Sequence, residues 1–375
     1  MIFTRSISSY ITQALQEPSN KVIILYGPRQ AGKTTLIKSL VAPGPAVVSF
    51  TGDDLYAQKI FSKHELASLS GIVDGKKLLI IDEAQRIENI GLTLKLLTDN
   101  FSLIILASGS ASFDLAKKIS EPLTGRTNTF WLYPLAYSEV KEKYAQTFPQ
   151  TALQEMLRFG MFPKVHTLAN DEQKKDYLYE YINNYLHKDI LTLENIKKPS
   201  KVIDLLTLLA LQIGKEVSVA ELAQNISLNQ KTVNSYLDLL EKMFVIFNLR
   251  GFSRNLRKEI SKSSKYYFYD TGLRNALIRN FNELSVRLDA GDLFENWFVA
   301  EKIKLANNKK LYANFYFWRT YEHEEIDLIE EREGKLHAWE CKWSAKKAKK
   351  PKDWAVSYPD SDFTIVDAEN YAKNL

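Results

Sequence analysis

The stretch KVIILYGPRQAGKTT, Lys21–Thr35, decides the reading of the first half of the chain. A β-branched apolar run, Val22–Leu25, leads into Gly27-x-x-x-x-Gly32-Lys33-Thr34, and the helical pattern TTLIKSL follows at once. Strand, glycine-rich turn and helix start are the setting that a P-loop requires. Glycine lets successive backbone N–H groups curl around a polyphosphate, and the helix N-terminus adds its positive dipole end. The expected cradle is therefore Gly27, Pro28, Arg29, Gln30, Ala31, Gly32, Lys33, Thr34 and Thr35, with Lys33 on the β- and γ-phosphates of ATP and Thr34 on Mg²⁺.

A second apolar run, LLIIDEAQ (Leu78–Gln85), ends in adjacent carboxylates about fifty residues further on. Asp82 is placed to support Mg²⁺ through its water shell, and Glu83 to polarise the attacking water. A third run, Leu103–Leu106, ends in ASGSAS. There Ser108 or Ser110 is a candidate contact for the γ-phosphate, or a small loop residue. Arg126, in LTGR, reads either as an arginine finger or as half of a structural ion pair. Alternating strand and helix patterns to about residue 140 predict a parallel sheet covered by helices on both faces.

With 375 residues the chain exceeds the size of one core, so several domains are expected. Its 45% hydrophobic and 25% charged content is that of an ordinary globular protein, and no apolar run approaches the roughly 18 residues of a membrane span. The opening MIFTRSISSY has no basic stretch followed by an apolar one, so no secretory signal is expected. One cysteine, Cys341, excludes an intrachain disulfide and a cysteine-built zinc site. These features together predict a cytoplasmic protein. The net charge of +5 does not by itself establish a nucleic-acid partner.

From Leu153 to about Leu211 the patterns are helical, with Tyr177, Tyr181 and Tyr185 at core-packing spacing. Ser218-Val-Ala-Glu-Leu-Ala then reads as a capped helix, Asn225–Asn229 as a turn and Lys231–Lys242 as a second helix. Two aromatic-rich strands follow, Val245–Phe252 and Lys265–Tyr269, which makes a helix-turn-helix with a β-wing. Asn229, Gln230, Lys231 and Asn234 would face a major groove, with Arg250, Arg254, Arg257, Lys258, Lys262 and Lys265 near phosphates against the single acid Glu259. The same fold also serves as a spacer or protein contact, and a charge run is also an ordinary solvated face.

The last part carries Glu295 on the amphipathic helix Gly291–Lys304, then the strand NFYFWRT, then Asp327 in HEEIDLIEE, then Glu340-Cys341-Lys342 in KLHAWECKWS, and finally the strand Phe363–Asp367. Strand alternation puts Trp339, Cys341 and Trp343 on one face and Glu340 and Lys342 on the other, where Asp327 can join them. Two such carboxylates can hold Mg²⁺ that activates water against a phosphodiester, and the lysine can neutralise the developing charge. A charged solvent face of an edge strand is the plainer alternative.

Taken together, the chain resembles the prokaryotic AAA-type P-loop ATPases with a C-terminal restriction-endonuclease-like domain. The resemblance rests on Arg5, GPRQAGKTT, IIDEAQ, SGSAS, LTGR (Leu123–Arg126), YPLAYSE (Tyr133–Glu139), RFGMFPKV, HKDI, YFYDTGLRNAL, LFENWFVAE, FWRT, EEIDLIEE and ECKWS. It departs at Met161, where the family often has a second glycine before Pro163. The resemblance implies an α/β chain: an AAA-type parallel sheet at 1–150, a helical lid at 151–211, a winged helix at 212–284 and an α/β restriction-endonuclease-like domain at 285–375. It implies Mg²⁺-dependent ATP hydrolysis controlling engagement, and cleavage, of DNA. Catalytic roles fall to Glu83, Asp327, Glu340 and Lys342; metal roles fall to Thr34, Asp82, Asp327 and Glu340; nucleotide roles extend to Ser110 and Arg126. A homo-oligomer is compatible, since AAA-type sites often complete across a subunit boundary. The alternative is an ATP-switched DNA- or protein-binding module with an inactive nuclease-like end. A protein-remodelling motor ranks below both, because no aromatic–glycine pore loop lies between the two phosphate-site motifs.

Overall fold

All five residues of β1 (Val22–Tyr26) are buried, because alternate side chains enter two different cores. Val22, Ile24 and Tyr26 join Leu79, Ile81, Ile105 and Ala107 on one face, while Ile23 and Leu25 join Ile80, Leu106 and Phe130 on the other. A strand hydrophobic on both sides belongs in a parallel sheet covered twice. The computed structural model describes residues 2–17, 21–110, 123–186, 196, 198–253, 264–322, 324–344 and 349–375. The HKDI stretch (187–190) and the basic residues Arg254, Arg257, Lys258 and Lys262, with Glu259, lie outside the described residues.

The chain divides into two units, Met1–Tyr133 with Lys242–Phe244, and Pro134–Glu241 with Val245–Leu375. The first is built on a five-stranded sheet of order β2-β3-β4-β1-β5, with β2 Val47–Thr51, β3 Leu78–Asp82, β4 Ile104–Gly109 and β5 Thr127–Trp131. All its pairings are parallel. The P-loop, Asp82 and Ser108 thus emerge at one edge, the carboxyl ends of the strands, where such sheets bind ligands.

The second unit contains a seven-stranded sheet of order β12-β11-β10-β9-β7-β8-β6. Its strands are β6 Glu216–Val217, β7 Ile246–Gly251, β8 Ser264–Phe268, β9 Ala313–Arg319, β10 Glu325–Arg332, β11 Lys335–Lys342 and β12 Asp362–Asp367. The sequence reading separates 212–284 from 285–375, yet strands of both stretches share this sheet, joined by the parallel pairing of Arg250 with Tyr316 and of Gly251 with Phe317. The two helices expected to form a helix-turn-helix are Val219–Asn225, capped by Ser218, and Gln230–Lys242, capped by Asn229. Asn229, Gln230, Lys231 and Asn234 are all exposed.

The helix Ala290–Asn308 is buried along most of its length. Asn296 locks it to β8, donating to the Phe268 carbonyl at 2.7 Å and accepting the Phe268 N–H at 2.9 Å. The opposite face of the sheet holds Phe252, Trp318, Ile326, Ile329, Ala338, Trp354 and Tyr358. Ile326 and Ile329 reach that same core although three apart, because the β9–β10 register shifts between them. Asp327 lies within this irregularity and is buried. Met161 is accommodated without a second glycine: Gly160 takes the positive φ of 75°, and the Met161 N–H donates to Asp270 at 2.5 Å.

Candidate functional site

The P-loop is shaped by contacts with β5 and by its own glycines. A Cβ on Gly27 would stand 2.2 Å from the Leu132 carbonyl oxygen, so the first glycine is required by the neighbouring strand end. Gly32 has φ 95°, and Lys33 begins the helix Lys33–Leu40. Arg5, which the sequence alone marks only through the family resemblance, pins the loop. Its guanidinium donates to the Ala31 carbonyl and to the Tyr133 carbonyl, each at 2.7 Å. Lys33 is 4% exposed, and its ammonium donates to the Gly27 and Pro28 carbonyls at 3.0 Å. The cation is thus held over the carbonyls of the loop itself. Arg29 and Gln30 are half-buried, and Thr34 and Thr35 are exposed.

Asp82 ties three elements together. It accepts the Thr34 hydroxyl at 2.6 Å from the helix and the Ser108 hydroxyl from β4. Thr34 and Asp82 form an oxygen-only donor pair of the kind Mg²⁺ takes. Glu83 follows in the left-handed region (φ 50°), and a Cβ on Gly52 would lie 2.2 Å from its carbonyl oxygen. Gln85 donates to Glu83 Oε2 at 2.5 Å and to Ser110 Oγ at 2.9 Å. Of the two serines in ASGSAS, then, Ser108 meets the Asp82 carboxylate and Ser110 reaches Glu83 only through Gln85.

Arg126 requires a correction. Its carbonyl accepts the Val22 N–H, at the start of β1, and its guanidinium is paired with Asp99. Five residues of β5 separate it from the P-loop edge, roughly 17 Å at the rise of a strand. It does not reach the phosphate site of its own chain; the ion-pair reading describes what it does here.

Asp327, Glu340 and Lys342 converge, with Glu295, on one open pocket of about 540 Å³. The Lys342 ammonium donates to Glu340 Oε1 at 2.5 Å, and Glu340 Oε2 is buried without a partner. Asp327 accepts the Cys341 N–H at 2.8 Å. Glu295 accepts the Tyr267 hydroxyl at 2.6 Å. Burial raises the pKa of Asp327, Glu340 and Glu295, reinforced by Glu340 at Asp327 and by Asp327 at Glu295, which is pushed up to about 8. The orphaned Glu340 oxygen and the neighbouring Asp327 suit a hard cation, which would satisfy both. Among the described residues no group of three or more His, Cys, Asp or Glu side chains is arranged to hold a metal ion.

Lys265 is the pocket residue that sequence reasoning misplaced. Read there as one of a basic crowd near phosphates, it is 1% exposed and ion-paired with Glu325 and Glu295. Burial works against its ammonium, but Glu295, Glu325 and Asp327 hold its pKa above the ordinary lysine value. Strand alternation was the available signal: Lys265, Tyr267 and Tyr269 share one face of an aromatic-rich strand.

Residues 19–141 match the family described as AAA domain, and residues 150–284 and 290–362 match two domains of unknown function, DUF8612 and DUF4143. The AAA match supports a P-loop ATPase in general terms. No helix among the described residues is long and apolar enough to cross a membrane. An uncharacterized protein of Methanocaldococcus jannaschii is 26% identical over 347 residues, covering 82% of this chain and 72% of its own. A solved structure of Drosophila ORC bound to DNA covers 74% of this chain and 94% of its own at 11% identity, but its TM-score of 0.29 carries no weight for fold or function. An uncharacterized protein of Mycobacterium tuberculosis is 31% identical over 349 residues, covering 91% of this chain and 74% of its own. This AAA-domain chain belongs to the family of that mycobacterial protein.

Proposed function

We propose that this protein is a Mg²⁺-dependent ATPase whose nucleotide state controls how its helix-turn-helix and its acidic pocket engage DNA. The observation that carries the ATPase reading is the joint hold of Asp82 on Thr34 and Ser108, beside a P-loop whose lysine already lies over the loop carbonyls. Bound Mg²⁺ would neutralise the phosphate oxygens. Thr34 and Asp82 hold its side of the site, Lys33 binds the terminal phosphates, and Glu83 takes the proton of the attacking water.

The nuclease reading is supported by the convergence of Asp327, Glu340 and Lys342 on one pocket. Asp327 and Glu340 would hold a divalent cation, which lowers the pKa of a bound water, and Lys342 would stabilise charge developing on the phosphodiester. A second reading, an ATP-switched binder that cuts nothing, is favoured by the ion pairs that already occupy part of the pocket.

The test is incubation of the full chain with supercoiled plasmid and linear duplexes, with Mg²⁺ or Mn²⁺, with and without ATP. Cleavage that Asp327→Ala abolishes establishes the nuclease, and an ATP effect lost in Lys33→Ala couples it to the nucleotide. Intact ATP turnover and DNA binding without cleavage establish the second reading. Absence of ATP turnover in the wild type overturns the proposal.

A further inference from the structure

We propose that Lys265 is a built-in cation of the acidic pocket, which a divalent metal must displace in order to bind there. The proposal rests on the metal-binding reading of Asp327 and Glu340 given above. Lys265 lies outside the Glu-x-Lys spacing of β11 and comes from β8, the wing strand, where it pairs in register with Glu216 and Leu249. Its ammonium stands 2.5 Å from Glu325 Oε1 and 3.4 Å from Glu295 Oε1. Tyr267, two residues on and on the same face, donates to the same Glu295 oxygen at 2.6 Å. Glu295, a helical carboxylate that shares the pocket with Asp327 and Glu340, is thereby committed to β8.

Electrostatics gives this arrangement a direction. Buried carboxylates without a compensating cation are costly, and so is a buried ammonium without carboxylates. Lys265 and the acidic cluster resolve both costs with no metal present. Lys342 does the same for one oxygen of Glu340, leaving the other buried and unpartnered. A divalent ion brought to that oxygen and to Asp327 meets the field of the Lys265 ammonium, which already acts on the Asp327 carboxylate. Like charges sharing a poorly screened site repel. Binding of the ion therefore requires the Lys265 ammonium to withdraw or its carboxylates to turn.

The consequence is opposite to that of a lysine that merely positions Glu295. Loss of the positive charge should tighten metal binding, whereas loss of a positioning contact should weaken it. Mn²⁺ binding to the full chain without nucleotide, followed by electron paramagnetic resonance, separates the two, with Asp327→Ala defining the share bound in the pocket. Lys265→Met is expected to raise the Asp327-dependent affinity at least tenfold. Lys265→Gln, whose amide can still donate to Glu295 and Glu325, is expected to do the same and guards against a folding defect in the first variant; Lys265→Arg should retain the wild-type affinity. Asp327-dependent binding that is unchanged or weaker in folded Lys265→Met and Lys265→Gln overturns the inference and leaves the metal reading standing. No Asp327-dependent Mn²⁺ binding in the wild type or either neutral variant overturns both.

Discussion

Gln85 holds Glu83: its amide donates to Glu83 Oε2 at 2.5 Å and, on its other side, to Ser110 Oγ at 2.9 Å. The carboxylate proposed as general base is thus aimed by a side chain two residues further along the same turn. Removing the base should lower ATP turnover by about 10²- to 10⁴-fold. Glu83→Gln is expected to show that loss with nucleotide affinity retained. Gln85→Ala, which leaves the base present but unaimed, is expected to lower kcat about tenfold. A steady-state phosphate-release assay beside a nucleotide titration measures both, and unaltered kcat in Gln85→Ala would show that the contact does not orient the base.

Lys33 donates to two P-loop carbonyls while almost wholly buried. The polyphosphate offers it charged acceptors instead, and hydrogen bonds between charged partners are roughly twice as strong as neutral ones. Lys33→Ala is therefore expected to lose detectable binding of a fluorescent ATP analogue at concentrations that saturate the wild type. Retained binding would place the nucleotide elsewhere.

Gly52 follows β2 directly and lies against the backbone of Glu83. A methyl group there would lie 2.2 Å from the Glu83 carbonyl oxygen, a separation that forces one strand end to move. Overpacking of this kind costs about 1–3 kcal/mol. Gly52→Ala is expected to lower the melting temperature of the first unit and to reduce ATP turnover by displacing Glu83. A variant with wild-type stability and kcat would mean that β2 yields at no cost.

The pocket should impose a pH dependence on the second unit. Glu295 has its pKa raised from 4.5 to about 8, chiefly by burial and then by Asp327. Between those values the folded state binds more protons than the unfolded state, so stability is fully present below pH 4.5 and is lost as pH rises toward 8. The effect is on the order of a few kcal/mol. Melting temperatures taken from pH 5 to pH 8.5 are expected to fall in the wild type and to fall less steeply in Glu295→Gln. Parallel profiles in the two proteins would remove Glu295 as the source.

The P-loop was legible in the sequence because its pattern is local. Gly27 to Thr34 and the pair Asp82–Glu83 are short runs whose spacing carries the meaning. The acidic pocket was partly legible for a related reason: alternation along β11 places Glu340 and Lys342 together. What stayed hidden depends on pairings between distant strands. The register shift at Asp327 lies in the pairing of β10 with β9, and Lys265 becomes a pocket residue because β8 joins the same sheet as β10. Likewise, the need for glycine at position 52 arises from β3, some thirty residues away.

Arg126 shows the same lesson as an experiment. Its sequence position after LTG suits a finger, but strand pairing puts it beside Val22, at the far end of the sheet from Lys33, in an ion pair with Asp99. The side chains are 46% and 38% exposed, and pairs exposed to that degree contribute about 0–1 kcal/mol. Arg126→Ala is therefore expected to leave the basal ATP turnover of a dilute, monomeric sample within about twofold of wild type, with a stability change no larger than that range. Turnover should be followed as a function of protein concentration. A loss in Arg126→Ala confined to high concentration, where the wild type gains activity, would assign the residue to the site of a neighbouring copy. A loss that is independent of concentration would contradict its placement at the far end of β5.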